Sequence, residues 1–175
     1  MKKQAQSGVF LIEALIAILI FSLGILGMVA MGGSAIAAQS DAQYRSEAAN
    51  FASEMAANIM LNIDRSTPAL FNSSFDSFSH RPVSGGAFCS FAGAASANAL
   101  VTNGTTGWVE RVSGAVPGVL GLPGATTTSE SINVNRSLAG NGFYQVTITV
   151  CWKPPSTSAM LAPWHQHQLV TYIPQ

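Results

Sequence analysis

Residues 9–38 read VFLIEALIAILIFSLGILGMVAMGGSAIAA, and this stretch decides how the rest of the chain is interpreted. Glu13 is its only charged residue, and the apolar run that follows is longer than the roughly 20 residues that cross a bilayer as a helix. Lys2 and Lys3 precede it, and we expect them to hold the amino terminus in the cytoplasm. The stretch therefore predicts one membrane-spanning helix, with the remainder of the chain on the far side of the membrane.

Glu13 is the unusual residue, because a carboxylate within a membrane span costs about 2.5 kcal/mol or more on insertion scales. One interpretation places Glu13 in the headgroup zone, with the span beginning after it. In another interpretation, proteolytic processing creates a positive partner for Glu13. A cut after Gly8 gives Val9 a free amine, and Val9 lies four residues before Glu13. These positions share a helix face, so the amine of the same chain or of a neighbouring copy could pair with the carboxylate.

The segment Gly8-Val9-Phe10-Leu11-Ile12-Glu13 resembles the type III signal of type IV prepilins. That signal consists of a short basic leader, a glycine before the cut and a glutamate near the start of the mature chain. Three further segments, SLGILG at 22–27, YRSEAA at 44–49 and MAANIMLN at 55–62, are similar to those of PilV-like minor pilins. The chain departs from the family at Val9, where the first mature residue is usually phenylalanine.

The resemblance implies a division of the chain. Residues 1–8 would be a leader removed by the prepilin peptidase, with methylation of the new Val9 amine, and Glu13 would direct docking into the filament. Residues 9–38 would form the transmembrane and filament-core helix, 39–64 an amphipathic distal helix, and 65–175 a periplasmic domain that faces outward in the pilus.

The resemblance also implies a place and a set of partners. We expect a single-pass inner-membrane protein before assembly, with a cytoplasmic amino terminus, and a pilus subunit at the cell surface afterwards. Its expected partners are the prepilin peptidase, other minor and major pilins, the inner-membrane assembly platform and membrane lipid. The implied role is the initiation of pilus assembly, and with it twitching motility and adhesion.

Two other functions stay open. A minor pseudopilin of a type II secretion system shares the processing signal but serves export. A secreted or membrane-anchored enzyme would carry an ordinary signal peptide, for which Ala35-Ile36-Ala37 is a cleavage-site candidate. The apolar region is longer than an ordinary signal peptide needs, and a cut after Ala37 leaves Glu13 unexplained.

The segment after the span predicts a second helical region. Apolar residues recur there at spacings of three and four, which predicts an amphipathic helix that ends near Asp64–Pro68; they are Tyr44, Ala48, Phe51, Ala52, Met55, Ala56 and Ile59. This region either continues the membrane helix or forms a separate helix joined near Gly32-Gly33.

The remaining sequence predicts a sheet. Ser66–Gly107 is interpreted as a long loop region with phenylalanine anchors, and a short helix is expected from Trp108 to about Val116. Alternation of apolar and polar residues predicts three strands, with a tight turn at Asn141-Gly142; they are Ser131–Arg136, Phe143–Trp152 and His167–Ile173. An antiparallel sheet covered by the distal half of the long helix gives a pilin-like α+β fold.

The two cysteines, Cys89 and Cys151, lie far apart in sequence and form no C-x-x-C motif. In a periplasmic domain they are expected to form one disulfide, and the alternative is a pair of free buried thiols. Cys151 falls on the strand face opposite Trp152, so we expect that it need not lie in the core.

The sequence contains no motif that indicates catalysis. The net charge is zero, with eight acidic and eight basic residues, so there is no electrostatic footprint for nucleic acid. His165 and His167 alone do not make a metal site, and no nucleophile elbow or phosphate-binding loop is present. The carboxylates beyond the span are expected mostly on the helix face or in loops. We therefore predict a protein that is not an enzyme and has no metal or cofactor.

Overall fold

The amino-terminal element is a single long helix, α1, which comprises Ser7–Asn62. The computed structural model describes residues 7–137, 142–154 and 163–175, and the backbone alone at 7–9. The helix is continuous through Gly32 and Gly33, so the alternative of two helices joined there is wrong. Its end at Asn62 lies close to the boundary predicted from Pro68. The chain separates into two units, Met1–Asp41 and Ala42–Gln175.

Within the second unit, the predicted apolar stripe of α1 enters the hydrophobic core. Ala48, Ala52, Met55 and Ile59 are fully buried, and they belong to one cluster with the apolar face of the sheet. The indole Nε1 of Trp108 donates a hydrogen bond of 2.8 Å to the carbonyl oxygen of Phe51. The prediction that the distal part of the helix packs on the sheet is confirmed.

The sheet has three antiparallel strands: β3 (Glu130–Asn135), β4 (Phe143–Trp152) and β5 (His165–Pro174). Their order in the sheet is β3-β4-β5, with β4 in the middle. The bounds of β4 agree with the prediction, whereas β3 begins one residue earlier and β5 is longer at both ends than predicted. Alternate residues of β4 from Tyr144 to Trp152 are buried, which confirms the face assigned to the core. Of the predicted turn, Gly142 has φ +75°, and Asn141 lies outside the described residues.

The interpretation of Ser66–Gly107 as a loop is wrong over its first part, where a helix, α2, comprises Pro68–Ser77. The Thr67 side chain caps its start by accepting a hydrogen bond from the Leu70 N–H, and Pro68 occupies the first turn, where no N–H is needed. Phe71 and Phe75 lie one turn apart and pack against Tyr144, with ring centroids 5.4 and 5.1 Å away. Part of what was interpreted as loop anchors is therefore the buried face of a helix.

The rest of this region is irregular apart from a small antiparallel pair, β1, Val83–Ser84, and β2, Phe91–Ala92. The helix predicted from Trp108 to about Val116 is shorter and comprises only Trp108–Val112, as α3. Gly114 ends it with φ +70°, a left-handed conformation that glycine adopts without strain.

The disulfide between Cys89 and Cys151 is present, with the two Cα atoms 5.9 Å apart. It joins the loop between β1 and β2 to the end of β4. Cys151 lies on the sheet face opposite Trp152 and outside the hydrophobic core cluster, as expected, but it is fully buried. The reason is that the loop at Cys89 covers this end of the sheet face, which the alternation along β4 alone does not reveal.

Candidate functional site

The residues predicted for processing and assembly all lie in the first turns of α1. Gly8 and Val9 are helical in backbone, and Glu13 follows Val9 by one turn on the same face. Glu13 is exposed, and among the described residues no group pairs with its carboxylate. The predicted cut would therefore create an amine one helical turn before Glu13.

The surface around Glu13 is apolar on every side of the helix. The large apolar side chains from Phe10 to Ile36 are each between 46% and 76% exposed; they are Phe10, Leu11, Ile12, Leu15, Ile16, Ile18, Leu19, Ile20, Phe21, Leu23, Ile25, Leu26, Met28, Val29, Met31 and Ile36. A helix that is apolar all round requires an apolar environment. It is long and apolar enough to serve as a single-pass membrane anchor.

The serines in and next to this segment satisfy their own hydrogen bonds. Ser22 donates to the Ile18 carbonyl at 2.7 Å, Ser34 to Met31 at 2.9 Å and Ser40 to Ile36 at 3.1 Å. Such bonds within a helix remove the cost of placing a hydroxyl in lipid. Glu13 has no equivalent bond within the described part of the chain.

A cleft of about 260 Å³ opens beside the start of α2, and its lining contains a single charged side chain, Arg65. Arg65 donates to the Met60 carbonyl oxygen, at 3.0 Å. No group of three or more potential metal ligands occurs among the described residues. His165 contacts Trp152, with 5.7 Å between ring centroids.

Glu130, at the start of β3, is a buried carboxylate, whereas the carboxylates beyond the span were expected mostly on the helix face or in loops. It is fully buried, its Oε1 accepts a hydrogen bond of 2.8 Å from the Ser129 hydroxyl, and its Oε2 has no partner among the described residues. Burial raises the pKa of Glu130 to about 8 against the smaller opposing effects of Ser129 and the Arg81 charge. The sequence did hold a signal, since alternation places Glu130 on the same strand face as Ile132.

His80 and Glu110 are also buried. His80 Nδ1 accepts a hydrogen bond of 3.2 Å from the Ser96 N–H, and burial, followed by the Arg81 charge, lowers the pKa of the imidazole. Burial acts to raise the pKa of Glu110, but hydrogen bonds, above all from the Gly104 N–H and the Thr102 hydroxyl, outweigh it and hold the pKa below its usual value. Both side chains tie loops together, which is a structural role.

No protein family, curated protein or solved structure matches the chain. Two features of the chain itself bear on its function. One is the apolar first part of α1 with Glu13 near its start, and the other is the α+β fold with the disulfide between Cys89 and Cys151.

Proposed function

We propose that this protein is a minor pilin of a type IV pilus, processed by the prepilin peptidase between Gly8 and Val9. The single observation that carries the proposal is the position of Glu13, one helical turn after Val9 and surrounded by exposed apolar side chains. A carboxylate in that environment is costly unless a positive charge pairs with it. The amine made by the cut is such a charge, and it lies either in the same chain or in the neighbouring subunit.

The exposed apolar surface of the first unit supports the same proposal. Before assembly, lipid covers this surface and the chain is anchored in the inner membrane. After assembly, the helices of other pilins replace the lipid, because apolar side chains pack on one another as well as on acyl chains. Exchanging lipid for neighbouring helices therefore changes the free energy of the apolar surface little. Glu13 then supplies the specificity of docking.

The second unit supports an outward position. Its core is formed by α1, α2, α3 and one face of the sheet, and the disulfide fixes the loop at Cys89 to β4. A disulfide is stable in the periplasm and at the cell surface, where such a domain would lie. The proposal includes a role with other minor pilins in initiating the pilus, and so in twitching motility and adhesion.

Variants of Glu13 test the proposal. Glu13→Gln keeps the size of the side chain and removes its charge, and Glu13→Asp keeps the charge. Membrane insertion of Glu13→Gln should equal that of the wild type, while its amount in sheared pili should fall at least about tenfold, since the pair is lost. Glu13→Asp should retain part of the incorporation. Glu47→Gln, at a partly exposed position in the second unit, is the matched control and should be incorporated normally.

Two results would contradict the proposal. Pili that contain Glu13→Gln at the wild-type level would show that the carboxylate does not direct docking. A deletion strain with normal pili but defective protein export would assign the chain to a type II secretion system as a pseudopilin.

A further inference from the structure

The two outer strands of the sheet differ in what lies along their edges. β3 is paired on the side away from β4, because the backbones of His80 and Ile132 exchange two hydrogen bonds, of 3.0 and 2.9 Å. The Ser131 hydroxyl also donates to the Arg81 carbonyl oxygen, at 2.9 Å. The segment that precedes β1 therefore covers the edge of β3 at its centre.

The backbone groups of β5 point alternately toward β4 and away from it. The Gln175 N–H donates to the Gly142 carbonyl oxygen at 3.1 Å, and in an antiparallel ladder such bonded pairs alternate with pairs that are not bonded. Every second residue from Ile173 back to His165 therefore bonds to β4. The residues between them direct their N–H and C=O groups outward; they are Gln166, Gln168, Val170 and Tyr172. Among the described residues, none of these outward backbone groups has a hydrogen-bond partner.

The edge of β5 also lacks the features by which proteins usually prevent an edge from pairing. Such edges are short, bulged, or protected by lysine or proline. β5 has ten residues in unbroken register with β4, and its only proline is its last residue, Pro174. No Asp, Glu, Lys or Arg occurs from Pro154 to Gln175. The groups that a ligand would meet along this edge are peptide N–H and C=O groups in extended geometry, and another extended strand is their complement.

The packing of α1 decides between a second copy of this chain and a strand of another protein. Two identical edges that pair antiparallel are related by a two-fold axis perpendicular to the sheet. The part of α1 from Ala48 to Ile59 packs on the sheet face, so its axis runs along the sheet and this two-fold reverses its direction. Two copies anchored through α1 in the same membrane have to point the same way, and this symmetry does not allow it.

We propose that the edge of β5 binds an extended strand of another protein, which joins the sheet as a fourth strand. Its residues opposite Val170 and the other outward residues would exchange backbone hydrogen bonds with them. Its alternate residues would lie on the core side of the sheet beside Leu169, which packs against the core, so we expect them to be apolar. The inference goes beyond the proposed function, and only the exclusion of a second copy rests on the membrane anchor.

The probe is an end-capped peptide of nine residues in which threonine and valine alternate. Its valines are N-methylated, which leaves one edge able to pair and prevents the peptide from stacking on itself. The peptide is titrated into the isotope-labelled full chain in lipid nanodiscs and followed by NMR. We expect the four outward amides of β5 to shift and to exchange with solvent at least about tenfold more slowly at saturation. The amides of Leu169 and Thr171, which already bond to β4, should change less.

Val170→Pro tests the edge from the side of the protein. It removes one outward N–H and places a ring on the edge, a position in which strands tolerate proline. Binding of the peptide should weaken at least about tenfold. Val170→Thr keeps the N–H and is the matched control, which should bind as the wild type does. Circular dichroism and the intact disulfide establish that each variant is folded.

A second peptide, N-methylated at threonine and valine alike, tests the same point on the unaltered protein and should not bind. The proposal is overturned if the first peptide shifts no amide of β5, if the second binds equally well, or if folded Val170→Pro binds as the wild type does. It is also overturned if the chain alone forms a dimer that Val170→Pro dissociates, because the occupant is then a second copy. None of these results depends on incorporation into pili, so either proposal can fail alone.

Discussion

Replacing Glu130 by glutamine tests how the core holds a carboxyl group away from water. Glu130 is fully buried, with one oxygen bonded to the Ser129 hydroxyl and the other without a partner among the described residues. Burial raises its pKa from the ordinary 4.5 to about 8, so the folded protein holds it as a neutral acid at neutral pH. Glutamine has nearly the same shape and is neutral at every pH.

The sign of the effect follows from the direction of the pKa shift. Between pH 4.5 and about 8 the folded state keeps a proton that the unfolded state releases. The stabilisation linked to this proton is complete below pH 4.5, falls by about 1.4 kcal/mol per pH unit, and is lost as the pH rises through about 8. Over the whole window the loss amounts to about 5 kcal/mol.

The glutamine variant should not show this loss. Its amide carries two N–H donors where the neutral acid has one O–H, and the additional donor without an acceptor costs about 1–3 kcal/mol at every pH. We therefore expect the wild type to be more stable below pH 4.5 and Glu130→Gln to be more stable above about pH 8, with the two stability curves crossing between. The other titrating groups contribute equally to both proteins, so the difference between the curves isolates Glu130.

Urea unfolding of the full chain in micelles, followed by tryptophan fluorescence, measures the difference. Trp108 and Trp152 are both fully buried and report on the core. Glu47→Gln is the matched control for the change of carboxylate to amide at a partly exposed position. If the free energies of unfolding of wild type and Glu130→Gln differ by the same amount at every pH, the account of Glu130 is refuted.

Two further predictions concern stability. Cys89→Ser combined with Cys151→Ser should lower the free energy of unfolding by about 4 kcal/mol, because the bridge closes a long loop, and reduction of the wild type should give a similar loss; unchanged stability would show that the bridge contributes nothing. Phe75→Ala should cost about 3–5 kcal/mol, since Phe75 is fully buried against Tyr144. The exposed Leu70→Ala on the same helix should cost much less, and equal losses in urea unfolding would contradict the packing of α2.

The parts of the fold that were predictable have strong local patterns. β4 alternates without interruption from Tyr144 to Trp152, so both its bounds and its buried face could be read from the sequence. The apolar stripe of α1 beyond Ala42 predicted its packing on the sheet for the same reason. The disulfide could be predicted only as one of two alternatives. The distance between the thiols depends on the conformation of the loop at Cys89, and that loop has no periodic sequence pattern from which its conformation could be predicted.

α2 was missed because its composition conceals its period. Ser73, Ser74 and Ser77 suggest a loop, yet each donates its hydroxyl to a carbonyl one turn back, which removes the conflict with the helix. The useful signal was Thr67-Pro68, a cap followed by a proline in the first turn. The burial of Glu130 was not predicted, because carboxylates are rarely buried and the predicted strand began one residue later, at Ser131.

For the candidate site, the sequence predicted the residues and the structure adds their surroundings. Glu13 and Val9 could be placed one turn apart from spacing alone. The continuity of α1 and the exposure of the apolar side chains around Glu13 required the structure.

Mass spectrometry of the mature, filament-associated chain identifies its first residue and so tests whether the chain is cut between Gly8 and Val9. We expect a chain that begins at Val9 with a methylated amine, and a longer, unprocessed chain when Gly8 is replaced by a bulky residue. A mature chain that begins at Ala38 would show an ordinary signal peptide, and one that begins at Met1 would show that Glu13 receives no new amine; either result contradicts the account.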